Sequence, residues 1–84
     1  MRPPPKTPPE SWIGKRISVT WDDPCGFVNQ DFAEVDVAEC VSEGTLISLD
    51  KRKLILRTAV YKKDKNFGDW TAITLGAVTE CSRL

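Results

Sequence analysis

The side chains best suited to bind a partner are cations gathered at two points in the second half of the chain. Lysine and arginine bind phosphate by charge without reading a base, and an exposed tryptophan offers a platform on which a base can stack. The pattern therefore predicts contact with nucleic acid or with another anionic partner. The residues are Lys51, Arg52 and Lys53 at one predicted turn, Lys62, Lys63 and Lys65 at the next, and Trp70 soon after it.

The acidic residues form a separate block that precedes these cations. From Ile17 to Asp50 the chain has eight carboxylates and no lysine or arginine, although the formal net charge of the whole chain is zero. Zero net charge argues against a protein devoted to coating nucleic acid. Three interpretations of the basic run stay open: a solvated hairpin tip, a phosphate-binding surface, and a surface that faces the acidic block of a neighbouring copy.

Residues that could perform catalysis or hold a metal are scarce. The chain has no histidine, no Cys-x-x-Cys pair and no carboxylate cluster at ligand spacing. The adjacent Asp22 and Asp23 are more typical of a solvent-facing strand end than of an acid–base pair. We predict no enzymatic activity, no metal, no cofactor and no small-molecule substrate.

The three cysteines are odd in number and irregularly spaced, which argues against a disulfide framework. Cys25 stands in a predicted loop, whereas Cys40 and Cys81 fall in predicted strands, where small thiols commonly fill a core. The N-terminus is proline-rich and unlike a secretory signal, and no apolar run approaches the roughly 20 residues that a membrane span needs. These features predict a cytoplasmic protein with free thiols.

Proline and charge dominate residues 1–11, which predicts a flexible, extended tail that contributes nothing to folding. Its P-x-x-P spacing also fits an SH3 ligand. The remaining residues, 12–84, have room for one small core, and so we predict a single domain there.

Alternation of apolar and polar residues predicts five short strands. In "KRISVTWDD" the residues Ile17, Val19 and Trp21 share one face, and the strand ends before Pro24. A long loop with one or two aromatic side chains follows. Next comes a long strand in which Gly44 marks a bend or bulge.

A turn at Asp50–Lys53 then leads into "KLILRTAVY", where Leu54, Leu56 and Val60 share a face. The segment "WTAITL" is the fourth strand and "VTECSRL" the last, with a single 3₁₀ turn between them near Gly76. Burial and exposure of Trp70 are equally compatible with this pattern.

Such an order of strands and turns predicts an all-β fold: a small, strongly bent, five-stranded SH3-like barrel with a disordered proline-rich N-terminus. Trp21 is expected in its core and Trp12 over one of its ends. An OB-fold is the main alternative, but it normally has a helix between its third and fourth strands, which "KKDKNFGD" does not supply.

The stretch "VSEGTLISLDKRKLIL" resembles the first motif of Sm proteins. Gly44, Leu46 and Asp50 match its glycine, leucine and aspartate, and Leu54 to Leu56 match its return strand. The asparagine of that motif and the arginine-glycine pair of the second motif are missing. The resemblance therefore implies the Sm scaffold without the side chains that read a base in that family.

Over residues 15–84 the pattern is similar to short Sm-like proteins of phage and marine viral origin. This resemblance implies a fold and an origin but no particular activity. The matching residues are Val19, Trp21, Asp23, Cys40, Ser42, Gly44, Leu46, Gly68, Asp69 and Ile73.

From these observations we predict an assembly or interaction module that forms homo-oligomers. An 84-residue chain without disulfides or a metal commonly gains stability from a partner subunit. Sm-like relatives join neighbours through their fourth and fifth strands, and the resemblance therefore implies a ring here. The alternative prediction is an Sm-type RNA-binding protein that uses the basic hairpin loops.

Overall fold

The computed structural model describes residues 6–23, 38–60, 62–63 and 68–84, which form one five-stranded antiparallel sheet. The strand order is β4-β3-β2-β1-β5. The strands are β1 (Arg16–Asp23), β2 (Ala38–Leu49), β3 (Lys53–Val60), β4 (Gly68–Thr74) and β5 (Val78–Arg83), with 3₁₀ turns at Glu10–Trp12 and Leu75–Ala77.

The predicted all-β class and the 3₁₀ turn before the last strand are confirmed, but the sheet is not closed into a barrel. β4 and β5 are its two edges, and within the described residues they do not pair with each other. Five flat strands would hold their edges about 19 Å apart. Thr74 and Val78, the ends that the 3₁₀ turn joins, can be at most about 14 Å apart. The sheet must therefore curl, and it stops short of closure.

The inner face of the curled sheet forms the core, to which every strand contributes. The alternation read from the sequence is confirmed in the first halves of β1 and β3, where every second side chain is buried. Trp21, predicted in the core, is only half-buried. Trp12, Trp21, Leu49 and Leu75 pack against this core while partly exposed. The core residues are Ile17, Val19, Leu46, Leu54, Leu56, Ile73, Val78 and Cys81.

Gly44 lies on the inner face, where β2 and β3 approach closely. A Cβ atom there would lie 2.8 Å from the carbonyl oxygen of Arg57 and 3.3 Å from the Cβ of Leu56. A side chain at this position would therefore push β3 away from β2. The predicted bulge is not at Gly44, because Gly44 pairs regularly with Ile17. The register shift lies between Leu46 and Ser48, where the extra residue interrupts the pairing with β3.

A second register shift reverses the alternation at the end of β3. It lies between Arg57 and Ala59 in the pairing with β4. An extra residue turns all the following side chains to the other face. Val60 is consequently 41% exposed, and the prediction that it shares the buried face of Leu54 and Leu56 was wrong.

The residues just before β1 pack against the sheet. The Pro8 side chain is fully buried, and the Cys81 thiol donates a weak hydrogen bond to the Lys6 carbonyl at 3.8 Å. Farther along, the Gly14 N–H donates to the Leu46 carbonyl at 2.7 Å, and the Leu46 N–H donates to the Lys15 carbonyl at 3.0 Å. Within the predicted flexible tail, Lys6 and Pro8 thus contact the sheet, through the hydrogen bond from Cys81 and the buried proline ring.

Candidate functional site

The β2–β3 turn is organised by the carboxylate of Asp50. Its Oδ1 accepts hydrogen bonds from the backbone N–H groups of Arg52 at 2.7 Å and Lys53 at 2.9 Å, and its Oδ2 accepts from Lys53 Nζ at 3.2 Å. These bonds, first that from Arg52 and then those from Lys53, lower the pKa of Asp50 to about 2. Asp50 is therefore a turn-forming residue, and it partly neutralises Lys53.

The two basic turns lie at opposite ends of β3. Lys51 and Arg52 are exposed at its start, whereas the exposed Lys62 and Lys63 follow its end. Eight residues of strand separate the turns by about 25 Å. The structure does not bring them together as one binding surface, and Lys65 lies outside the described residues.

The β2–β3 and β4–β5 turns are neighbours. The Leu75 N–H donates to the Arg52 carbonyl at 2.8 Å, which ties the 3₁₀ turn to the hairpin. An open groove of about 360 Å³ lies beside them, with an apolar floor and a charged rim. Its lining residues are Thr7, Pro8, Glu10, Leu49, Asp50, Lys51 and Leu75.

Sequence reasoning missed the contribution of the N-terminal segment to this groove. A proline run looks solvent-exposed on composition alone. The sequence contains one signal to the contrary, which is the tryptophan that follows the run. Trp12 packs on the core and so fixes the position of the residues before it. Pro8 is thereby placed against the sheet.

The three tryptophans have different environments. Trp70 lies on the edge strand β4, opposite Arg57 on β3, and its side chain is 46% exposed. The sequence left burial and exposure open, and exposure is the correct alternative. Trp21 is only half-buried, and its indole Nε1 donates to the Ser42 hydroxyl at 3.0 Å. Trp12 is partly buried and packs against the core.

No disulfide joins the two described cysteines, Cys40 and Cys81. Cys81 is buried, and this burial, followed by the charge of Glu80, raises its pKa to about 11. Because the thiolate is the reactive form, this thiol is inert at neutral pH. Cys40 is half-buried rather than part of the core, and its thiol donates to the Ala38 carbonyl at 3.7 Å. Cys25 lies outside the described residues.

Asp22 and Asp23 are the last two residues of β1. Asp22 stands directly opposite Glu39 of β2, so that two carboxylates face each other across the strands. Within the described part of the chain, no group of three or more histidine, cysteine or acidic side chains converges as metal ligands. Nor, in that part, is there a helix with the length and apolar character to cross a bilayer.

The two strand edges are the largest unsatisfied backbone surfaces that the described residues present. β4 has seven residues and pairs only with β3, whereas β5 has six and pairs only with β1. Each edge strand therefore has one side on which its N–H and C=O groups have no partner strand in the described part of the sheet.

Comparison with known proteins found no family model, no curated protein and no solved structure that matches the chain. The surfaces that bear on its function are the two edge strands, β4 and β5, and the charged residues close to them.

Proposed function

We propose that the protein is a small self-associating β-sheet module whose copies join by strand pairing at the open edges. The observation that carries this proposal is the five-stranded sheet that curls without closing and so leaves β4 and β5 each with a free side. An unpaired edge is a template for a strand from another chain. The strand order and the 3₁₀ turn before β5 support an Sm-like, SH3-like arrangement of these strands.

The composition of the two edge strands favours pairing with another copy more at β4 than at β5. Natural sheets protect their edges with lysine, proline, bulges or very short strands. β4 reads "GDWTAIT", with no lysine, no proline and one charge, Asp69. β5 has a register shift near Thr20 and Trp21 and two charges, Glu80 and Arg83.

The small core gives a reason for association. Eight buried apolar residues make up the core of the described sheet. No disulfide joins the two described cysteines to each other across this core. A chain of this size buries roughly 60–65% of its unfolded surface, which leaves little margin. Burial against a second copy would supply additional stability.

The alternative function, RNA binding through the basic turns, has less support. Because the cations at Lys51–Arg52 and at Lys62–Lys63 lie at opposite ends of β3, a single stretch of RNA would have to follow the strand to contact both. Asp50 also neutralises part of the first turn. Self-association is therefore the function that the geometry supports best.

Light scattering coupled to size-exclusion chromatography tests the proposal. At tens of micromolar protein and moderate salt we expect a mass above the 9.4 kDa of one chain. Lysine placed on an edge should reduce that mass, because a charged edge side chain opposes strand addition. The edge variants are Ala72→Lys on β4 and Ser82→Lys on β5, both at exposed positions.

The matched control is Val41→Lys, because Val41 is exposed on β2, which has a partner strand on each side. This variant should keep the mass of the wild type. A ring requires both edges, so that both edge variants would disrupt it, whereas a two-fold dimer requires only one edge. A wild-type mass of 9.4 kDa under these conditions would overturn the proposal.

A further inference from the structure

The free side of β4 presents every second peptide group of the strand. The Leu75 N–H donates to the Arg52 carbonyl at 2.8 Å, so these two residues form a hydrogen-bonded pair at the end of the β3–β4 ladder. Hydrogen-bonded and non-hydrogen-bonded pairs alternate along an antiparallel ladder. Counting back along β4, the N–H and C=O groups of Thr74, Ala72 and Trp70 therefore point away from β3 and towards the free side.

The side chains of the same three residues lie on the outer face of the sheet. All three are exposed, and the exposed fraction of Trp70 is 46%. Between them Thr71 and Ile73 face inwards, opposite core side chains of β3. Within the described residues β3 is the one element that contacts β4 extensively. Both the backbone groups and the outer side chains of this edge are therefore accessible to another strand.

We infer that two copies pair β4 to β4, antiparallel, about a two-fold axis that passes between their Ala72 residues. In this register the two alanines face each other, and Trp70 of each copy faces Thr74 of the second copy. Each of these pairs exchanges both of its N–H···O=C bonds, which gives about six backbone hydrogen bonds between the copies. The inference rests on the proposed self-association and names the edge, the orientation and the register that it uses.

A second copy is the occupant because this edge is complementary to itself. Rotation by 180° about an axis perpendicular to the sheet keeps outer side chains with outer ones and inner side chains with inner ones. On the inner face Thr71 lies beside Ile73 of the second copy. On the outer face the small Ala72 side chains leave room for the ring of Trp70. Asp69, the one charge of β4, lies beyond the paired stretch.

Other registers of the same two strands fit less well. A slide by one residue would set the outward peptide groups of one strand against groups that already bond β3. A slide by two residues in one direction would place Asp69 opposite the buried Ile73 of the second copy, on the inner face. The same slide in the other direction would place Trp70 opposite Gly76, where the chain has left the strand for the 3₁₀ turn.

Apolar side chains at the β4 edge supply a driving force for this pairing. A tryptophan has about 150–250 Å² of surface to bury, and aromatic anchors commonly dominate the energy of an interface. Trp70 and Ala72 are exposed, and the half-buried Ile55 of β3 stands directly opposite Ala72. On β5 the side chains paired with the outer face of β1 are Glu80 and Ser82, which are both polar.

Opposite charges placed at the proposed axis test the inference. Wild type should have twice the 9.4 kDa chain mass in light scattering. Ala72→Lys and Ala72→Glu each put like charges directly across the axis, so that the dissociation constant of each variant should rise about tenfold. An equimolar mixture should recover the wild-type dissociation constant, because lysine then faces glutamate. Native mass spectrometry should find one copy of each variant in the recovered dimers.

Matched controls are Ser82→Lys and Ser82→Glu, which make the same exchanges at an exposed position of β5. Each should dimerise as wild type does, because β5 takes no part in the contact. Circular dichroism should show that all four variants are folded. A mixture of the two Ala72 variants that stays as weakly associated as its components would overturn the inference, because position 72 would then not face itself.

Failure of this inference is distinguishable from failure of the proposed function. Oligomers that persist in Ala72→Lys and are lost in Ser82→Lys would place the contact on β5, overturning the inference and supporting self-association. A wild-type mass well above the dimer that both substitutions lower would indicate a ring of β4-to-β5 contacts, with the same two consequences. A monomeric wild type at tens of micromolar would overturn both proposals.

Discussion

The two faces of the same sheet follow different rules. On the inner face, Ile17, Val19 and Leu56 are fully buried, and the glycine at position 44 leaves room for β3 to approach. On the outer face, Val41 is 62% exposed, and Asp22 opposes Glu39 without a described counter-ion. The comparison indicates that the inner face carries the stability of the fold, whereas the outer face and the edges are free to meet partners.

Truncating a central core side chain should give the largest effect. Leu56→Ala removes a fully buried side chain from β3, which has a partner strand on each side, and we expect a loss of about 2–5 kcal/mol in the free energy of unfolding. Ile55→Ala, half-buried on the opposite face, should cost clearly less. Urea denaturation of both variants measures the contrast, and equal losses would break the distinction between the faces.

Adding a side chain to the inner face should have the next largest effect. Gly44→Ala places a Cβ atom against the Arg57 carbonyl, and separating β2 from β3 should cost roughly 1–3 kcal/mol. At Gly76 a Cβ atom would meet nothing within 4 Å, so Gly76→Ala is the control and should be nearly neutral. An unchanged melting temperature for Gly44→Ala would show that β3 can shift at no cost.

The N-terminal segment should contribute to stability through one residue. Pro8→Gly removes a fully buried ring and loosens the unfolded chain, for an expected loss of about 1–2 kcal/mol. Pro9→Gly changes an exposed neighbour and should cost less. If both variants have the melting temperature of the wild type, residues 6–11 do not contribute to the stability of the core.

The β2–β3 turn should add a smaller, pH-dependent contribution. The pKa of Asp50 is lowered from 3.8 to about 2, so its contribution to stability is present above pH 3.8 and is lost as the pH falls towards 2. Asp50→Ala should lower the melting temperature at pH 7 and flatten its decline over that acidic range. If the melting temperature of this variant declines as steeply as that of the wild type, other carboxylates cause the acid sensitivity.

Substitution on the outer face should have the smallest effect. Val41→Thr exchanges an exposed apolar side chain for one of similar shape and should change the stability by no more than about 0.5 kcal/mol. Differential scanning calorimetry of the dilute protein measures this. A loss comparable to that of Gly44→Ala would show that a partner covers Val41 even at low concentration.

The sequence predicted the strands and turns well because local signals determine them. Alternation located Ile17 and Val19 on the buried face, and the Asp50–Lys53 turn follows from the ability of aspartate to bond the backbone N–H groups after it. The 3₁₀ turn at Leu75–Ala77 was likewise signalled by a glycine between two apolar runs.

The errors concern features that depend on the whole sheet. Register shifts after Leu46 and after Arg57 are set by the curvature of paired strands, and no local residue pattern revealed them. The prediction of a closed barrel was wrong for the same reason, because the alternation of apolar and polar residues specifies which face is buried but not whether two distant edges meet. The burial of Pro8 depends on the surface that the finished sheet offers it.

The position of β1 between β2 and β5 has a consequence for the order of folding. Within the described sheet β5 has β1 as its sole partner, and the contact between Thr20 and Glu80 spans 60 residues. Closing so long a loop is slow compared with forming the β2–β3–β4 meander, whose strands are consecutive. We expect amide hydrogen exchange during refolding to protect β3 first and β5 last, so that the β5 edge of the sheet forms in the final step.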